Sequence, residues 1–304
     1  MNVRYNMEYK ERRGNMIEIC HLTKDYGNHR GVFDMSFQIH KGEILGILGP
    51  NGSGKTTIIR HLMGFIKPDQ GTVQIQGKDC FQEAAFIQQN VGYLPGEIAF
   101  MDDMTGMNFI HLIAKLKGIH DLSYAHWLIN FLELNAQGQI KRMSKGMKQK
   151  IGLVIALMHD PAILILDEPT SGLDPLMQIK FIELMKKAKQ QGKTVFMSSH
   201  IFEEIENVCN RVVIIKEGQV VAIEDMEHLK HHRYKHYEIQ FHSLLEMEKF
   251  MYQHPDAKRH QRTVSLLVKG SPDQLIKELS SYTIDDFNVQ PQSLEEIFLQ
   301  YYGE

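Results

Sequence analysis

This 304-residue sequence predicts an α/β fold with a largely parallel sheet. Three observations carry the prediction. From Met16 to about residue 224, short apolar runs of strand length alternate with segments whose apolar residues recur at helical spacing. One glycine-rich stretch, "GPNGSGKTT" (49–57), lies between such a run, "EILGIL", and such a segment, "IIRHLMGF". A further run, "AILILDEP", ends in two acids. A buried strand of that kind delivers its acids to the carboxyl edge of a sheet, where α/β folds bind ligands.

Taken in order, strands are expected at Ile17–Leu22, Val32–Ile39, Glu43–Leu48, Thr72–Ile75, Val91–Leu94, Ala162–Leu166, Thr194–Ser198, Val212–Ile215 and Val220–Ile223. Helices are expected at Thr56–Gly64, Met107–Lys117, Tyr124–Leu134, Ser144–Met158, Met177–Gln190 and Ile201–Val208. The strands before Gly49 read as an antiparallel piece. Between Asp102 and Lys141 the pattern is helical throughout, which marks a helical subdomain over about 102–160. After Asp225 the texture shifts to short strands and helices, and a small α+β accessory domain is expected over 225–304. Residues 1–15 are polar and aperiodic. They are expected to be a disordered or non-native extension, with Met16 as the natural start.

Composition narrows the classes of function. A hydrophobic share of 43% and a charged share of 23% are ordinary for a globular protein, and a net charge of −3 gives no basis for a nucleic-acid surface. Cys20, Cys80 and Cys209 are scattered without paired or metal-type spacing, which fits a reducing cytosol. The longest apolar runs, "GLVIALM" and "AILILDEP", are parted by His159, Asp160 and Pro161, and neither has the length to span a bilayer. No secretory signal is visible. Work at a membrane would therefore go through a partner.

The glycine-rich stretch fits G-x-x-x-x-G-K-[ST] through Gly49, Gly54, Lys55 and Thr56. Glycines there let successive N–H groups point inward without a Cβ clash, and the helix start adds its positive end, so the turn is a nest for phosphate oxygens. Gly49, Pro50, Asn51, Gly52, Ser53, Gly54, Lys55, Thr56 and Thr57 are the candidate nucleotide-binding residues. Lys55 would reach the β- and γ-phosphates, and the Thr56 hydroxyl would ligate Mg²⁺. Asp167 would hold the same ion through water, and Glu168 would polarise an attacking water. The ordinary alternative for the acid pair is a strand end with solvated carboxylates. In "MSKGMKQK" (143–150), Ser144 is a plausible cap and Gly146 leaves open backbone at a helix start. His200 ends the strand-like "TVFMSSH". Taken singly, Ser144 reads first as an ordinary helix cap and His200 as a satisfied polar group.

The order of these pieces resembles the ATP-binding-cassette (ABC) ATPases, over roughly residues 16–224: "KDYG", "GPNGSGKTT", "MSKGMKQK", "LILDEP", "SGLD" and "SSH". The resemblance implies a P-loop NTPase cassette that binds ATP and Mg²⁺ and hydrolyses ATP. It implies that Tyr26 stacks on adenine, with a core or surface tyrosine as the plain alternative. It further implies two cassettes paired head to tail, with Ser144, Lys145 and Gly146 facing ATP bound by the partner's Lys55. Asp174 would communicate across that interface, and His200 would hold the γ-phosphate. A homodimer and a heterodimer with a second ATPase subunit are equally compatible. Three positions depart from the family pattern: Lys145 stands for its first signature glycine, Met147 for its glutamine, and Gly96 in "VGYLPGEIAF" for the glutamine that touches Mg²⁺ and water. Either Glu97 substitutes for that glutamine or the loop serves only to relay motion.

The tail "SLEEIFLQYYGE" is similar to cassettes serving ABC-2-type exporters; its plain reading is an amphipathic helix with Leu294, Ile297 and Phe298 on one face. The implied partner is an integral membrane permease, with this chain peripheral on the inner face of the membrane. The alternatives are a soluble ABC ATPase without a membrane partner and an importer cassette. The single cassette argues against ribosome-acting members, and the short Lys55–Ser144 gap argues against the coiled-coil DNA-repair type. His228 and His232, four apart on a possible helix, suggest a metal site, but the strand-like "KHYEIQF" takes His236 off that face, which favours a solvated polar helix.

Overall fold

The computed structural model describes residues 14–232, 234–269, 271–293 and 295–298. The expected N-terminal extension falls mostly on residues 1–13, and Leu294 of the tail is likewise outside the described residues. Two compact units divide the chain, Met1–Ile223 and Glu224–Glu304.

The first unit holds two sheets. Strands β1 (Asn15–Asp25), β2 (Gly31–His40), β4 (Gln70–Ile75) and β5 (Lys78–Asp79) form a sheet in the order β2-β1-β4-β5, paired antiparallel throughout. The second sheet runs β10-β9-β3-β8-β7-β6, from β3 (Ile44–Leu48), β6 (Val91–Leu94), β7 (Ile163–Asp167), β8 (Thr194–Ser198), β9 (Arg211–Lys216) and β10 (Gln219–Asp225). Its inner pairs are parallel. Every residue of β3, β7 and β8 is buried, as expected of short apolar runs in a parallel sheet covered on both faces.

One core ties these sheets together. Helix α1 (Lys55–Leu62) contributes Ile58, Ile59 and Leu62 to a cluster that also takes Ile17, Ile39, Val73, Ile165 and Val213. Phe37 of β2 stacks on Phe196 of β8 at 6.0 Å. Burying each such side chain contributes about 1.5–3 kcal/mol. Helix α1 is thereby fixed directly behind the glycine-rich turn.

Helix α2 (Ala84–Asn90) was not expected from the sequence. Its segment "AAFIQQN" buries only Ile87, so it carries no periodic apolar face to read. The helical part contains α3 (Gly106–Leu116), α4 (Ser123–Phe131) and α5 (Lys145–Leu157). Thr105 caps α3 by accepting from Asn108 N at 3.2 Å. Helices α6 (Pro175–Gln190) and α7 (Phe202–Val208) follow β7 and β8.

The second unit is α+β. After α8 (Met226–His232), strands β11 (Tyr234–Phe241), β12 (Lys258–His260), β13 (Thr263–Lys269) and β14 (Ile284–Pro291) form an antiparallel sheet, β12-β13-β11-β14. Helices α9 (Leu244–Gln253) and α10 (Asp273–Leu279) share a separate core with it, built on Tyr237, Ile239, Phe241, Phe250 and Leu279. His236 lies within β11 while His228 lies in α8, and no cluster of three metal-ligating side chains occurs among the described residues.

Candidate functional site

Strand order builds the site. β3, β8 and β7 are neighbours and parallel, so their carboxyl ends lie side by side, with Asp167 registered opposite Ser198. "GPNGSGKTT", "DEP" and "SSH" lie far apart in sequence. They meet there because each follows one of these three strands.

The turn after β3 depends on its glycines. Gly52 and Gly54 have φ of 82° and 108°, in the left-handed region that favours glycine. At Gly49 the constraint is space, since a Cβ would come within 2.5 Å of Ser53 Oγ and 2.6 Å of Ile215 O. Gly54 is the N-cap of α1, so Lys55 opens the helix. Its ammonium is buried and donates to Gly49 O at 2.6 Å and to Pro50 O at 3.1 Å. An ammonium has three donors, so one remains for a ligand. Burial pulls the Lys55 pKa below its ordinary value, while Glu168 and Asp167 oppose the shift. Ser53 Oγ is buried and has no hydrogen-bond partner among the described residues.

Thr56 Oγ1 donates to Asp167 Oδ2 at 3.0 Å, and Ser198 Oγ donates to Asp167 Oδ1 at 2.6 Å. Glu168 N donates to Ser198 Oγ at 2.9 Å. The Glu168 side chain lies 3.6 Å from His200 Nδ1, measured from Oε2. Tyr26 is half exposed, and it lines one cleft of about 530 Å³ with Arg30, Gly31, Asn51, Gly52, Gly54, Lys55, Thr56, Thr57 and Glu168. Gly49, Pro50 and Ser53 form the inner side of the same turn, tied by the Ser53 N bond to Pro50 O at 3.2 Å.

Ser144, Lys145, Gly146 and Asp174 do not line this cleft. Ser144 caps α5, its Oγ accepting from Met147 N at 3.2 Å, and Asp174 caps α6, its Oδ1 accepting from Met177 N at 3.1 Å. Lys145 Nζ donates to Ser171 Oγ at 2.8 Å, and a Cβ on Gly146 would lie 2.6 Å from Gly172 O. The start of α5 thus rests on "SGLD" of its own chain. Gly96 faces Asp167: a Cβ there would lie 3.3 Å from Asp167 Oδ2, whereas Glu97 is exposed.

Arg30, Ser198, Gln149 and Glu204 belong to the neighbourhood without having been singled out by the sequence. Ser198 had a signal, a hydroxyl ending an apolar strand in "FMSSH". Glu204 had none. It is 2% exposed, and it takes hydrogen bonds from Thr170 Oγ1 and, at 2.7 Å, from Ser199 Oγ. Burial raises its pKa.

A glycine-rich phosphate loop between strand and helix, facing an acid-tipped parallel strand, defines a P-loop nucleoside triphosphatase. The family described as "ABC transporter" matches residues 32–171, and the bacitracin transport ATP-binding protein BcrA of Bacillus licheniformis is 33% identical over 298 residues, 95% of this chain and 97% of that protein. The chain belongs to the ATP-binding proteins of ABC transporters and is an ATPase. The linearmycin resistance ATP-binding protein LnrL of Bacillus subtilis is 35% identical, over 68% of each chain. Among solved structures, the ATP-binding subunit of an ABC transporter superposes with a TM-score of 0.65 at 28% identity, covering 71% of this chain and 92% of that one. A dimeric bacterial ABC transporter cassette gives 0.64 at 25%, over 69% and 99%.

Proposed function

We propose that this chain is the ATP-hydrolysing subunit of an ABC exporter, driving a separate membrane permease through ATP-dependent pairing of two cassettes. One observation carries the exporter reading. Similarity to the bacitracin transport protein extends over 95% of this chain, so it includes the unit after Ile223 as well as the nucleotide-binding core. Among the described residues no helix is long and apolar enough to cross a membrane, which is consistent with a cassette held at the inner face by its partner. No nucleic-acid partner is proposed.

The residue roles follow from the cleft. Tyr26 offers a ring for adenine, the turn of residues 49–57 takes the β- and γ-phosphates through the Lys55 ammonium and the N–H groups at the start of α1, and His200 holds the γ-phosphate. The Thr56 hydroxyl and the Asp167 carboxylate present hard oxygens 3.0 Å apart beside the phosphate loop, a donor set that fits Mg²⁺. Thr56 would hold the ion directly and Asp167 through water; when bound, Mg²⁺ supplies charge neutralisation to the triphosphate. Glu168 takes a proton from water as the water oxygen bonds to the γ-phosphorus and the bond to the bridging oxygen breaks, releasing ADP and phosphate. Ser144, Lys145 and Gly146 would meet the γ-phosphate held by the other cassette, and Asp174 would sit at the pairing surface. The second cassette is a copy of this chain or a sister ATPase.

The test uses Glu168→Gln, which slows hydrolysis and traps the ATP-bound state. The tagged variant is expressed in its native cell, loaded with Mg·ATP, solubilised in mild detergent and purified with its companions. A polytopic membrane protein in stoichiometric amount is the expected result. Recovery of a soluble dimer alone, or of ribosomes, removes the exporter reading.

A further inference from the structure

Glu168 stands on backbone that does not hold itself. Its φ is 47°, in the left-handed region, a conformation that a non-glycine residue keeps only where the surroundings determine it. Three groups from three elements grip residues 168–170. Ser198 of β8 accepts from Glu168 N at 2.9 Å, and Glu204 of α7 accepts from Thr170 Oγ1. Gln149 of α5 takes the other side: its Nε2 donates to Glu168 O at 3.1 Å and to Pro169 O at 2.9 Å.

Gln149 is 4% exposed and sits five residues after Ser144, the N-cap of α5. That separation is about 7.5 Å of helix rise. One rigid helix therefore carries at its start the segment expected to meet a partner's nucleotide, and a turn and a half later the amide that fixes the backbone of the acid. The geometry needs a side-chain donor here. Two carbonyl oxygens converge on one site, and the Gln149 side-chain NH₂ brings two donors to it without a charge. Without a donor, Pro169 O would be buried and unsatisfied and Glu168 O would keep only its bond from Ser171 N at 3.1 Å, so the left-handed turn would lose its anchor to α5.

We propose that Gln149 is a positioning residue for ATP hydrolysis: it holds Glu168 in the left-handed conformation and so aims the carboxylate at the attacking water. The proposal rests on the reading of Glu168 as the group that activates water. Displacements of about 1 Å at a reacting group cost on the order of 100-fold in rate, so loss of this anchor acts on turnover rather than on nucleotide binding.

The experiment measures steady-state ATPase activity and thermal stability of full-length Gln149→Met, Gln149→Glu and Gln149→Lys, with Glu168→Gln alongside. Met keeps the length and loses the donors, Glu keeps the shape and offers only acceptors, and Lys restores a donor. The expected result is a kcat at least about 10-fold lower for Met and Glu with KM for ATP within about twofold, and a kcat within about threefold of wild type for Lys. A merely structural role would lower stability and treat Lys and Glu alike, leaving kcat per folded molecule unchanged, and that result overturns the proposal. If the two charged variants do not fold, the kcat-against-KM split of the Met variant decides. An inactive Glu168→Gln beside fully active Met and Glu variants overturns the positioning role alone. An active Glu168→Gln overturns the reading of Glu168 and the proposal with it.

Discussion

Thr56 and Asp167 are 111 residues apart, yet the hydroxyl of one donates to the carboxylate of the other at 3.0 Å. Either oxygen alone carries no message; together, beside the glycine-rich loop, they are the pair proposed to take a divalent ion. The consequence is specific to Mg²⁺. Thr56→Val keeps the volume and removes the hydroxyl, so it is expected to weaken Mg·ATP binding about 10-fold or more, roughly 1.4 kcal/mol. Binding of ATP in excess EDTA stays within about twofold, because the N–H nest and Lys55 are untouched. Titration calorimetry in both conditions checks this, and equal losses in the two would place Thr56 on the phosphates instead. At this scale the sequence was legible wherever the chemistry is contiguous or ends a strand. Lys55, Thr56, Asp167, Glu168 and His200 were picked out in that way. Gln149, Ser198 and Glu204 were not assigned roles, because their partners among residues 167–170 lie 19 to 34 residues away and only strand order decides what they meet.

Elements differ in how plainly they announce themselves, and the reason is burial. β3, β7 and β8 are buried along their whole length and read clearly as apolar runs, whereas α2 buries a single residue and did not. The order β3-β8-β7 lay beyond the sequence altogether, since nothing local tells a parallel strand which neighbour it will take. The seat of α5 was not read from the sequence, although a local sign of it exists. Gly92, inside the strand-like "VGYL", is the kind of glycine that marks a close backbone approach. A Cβ there would lie 2.3 Å from Ala156 O, and one on Gly152 would lie 2.3 Å from Ile98 Cδ1. Two glycines, one on β6 and one on α5, thus set how near the helix lies. Gly92→Ala meets backbone, which cannot swing aside, and is expected to cost about 1–3 kcal/mol. At about 2–4 °C per kcal/mol for a unit of this size, thermal melting resolves that loss. A variant as stable as wild type would show that α5 does not pack this closely.

On the scale of the whole molecule, the cluster around Ile58, Ile165 and Phe196 and the cluster around Tyr237, Phe241 and Phe250 share no residue among those described. Every residue lining the nucleotide cleft belongs to the first unit. A ligand stabilises only the cooperative unit that binds it, by RT ln(1 + [L]/Kd), which is about 2.7 kcal/mol at 100 times Kd. Nature has supplied a reporter for that unit, because Trp127 is the single tryptophan of the chain. It lies on α4, stacked between Tyr124 at 5.6 Å and Phe131 at 5.0 Å, with Lys187 Nζ 4.5 Å from its ring. Its emission therefore follows the melting of the first unit, in which all of these ring contacts lie. With Mg·ATP in the presence of Glu168→Gln, which prevents turnover, the tryptophan transition is expected to rise by about 5–10 °C. Far-ultraviolet circular dichroism sees both units, and it should resolve a component that does not move. If the whole dichroism signal shifts with the tryptophan, the two cores melt as one cooperative body, and the second unit is coupled to the state of the nucleotide site.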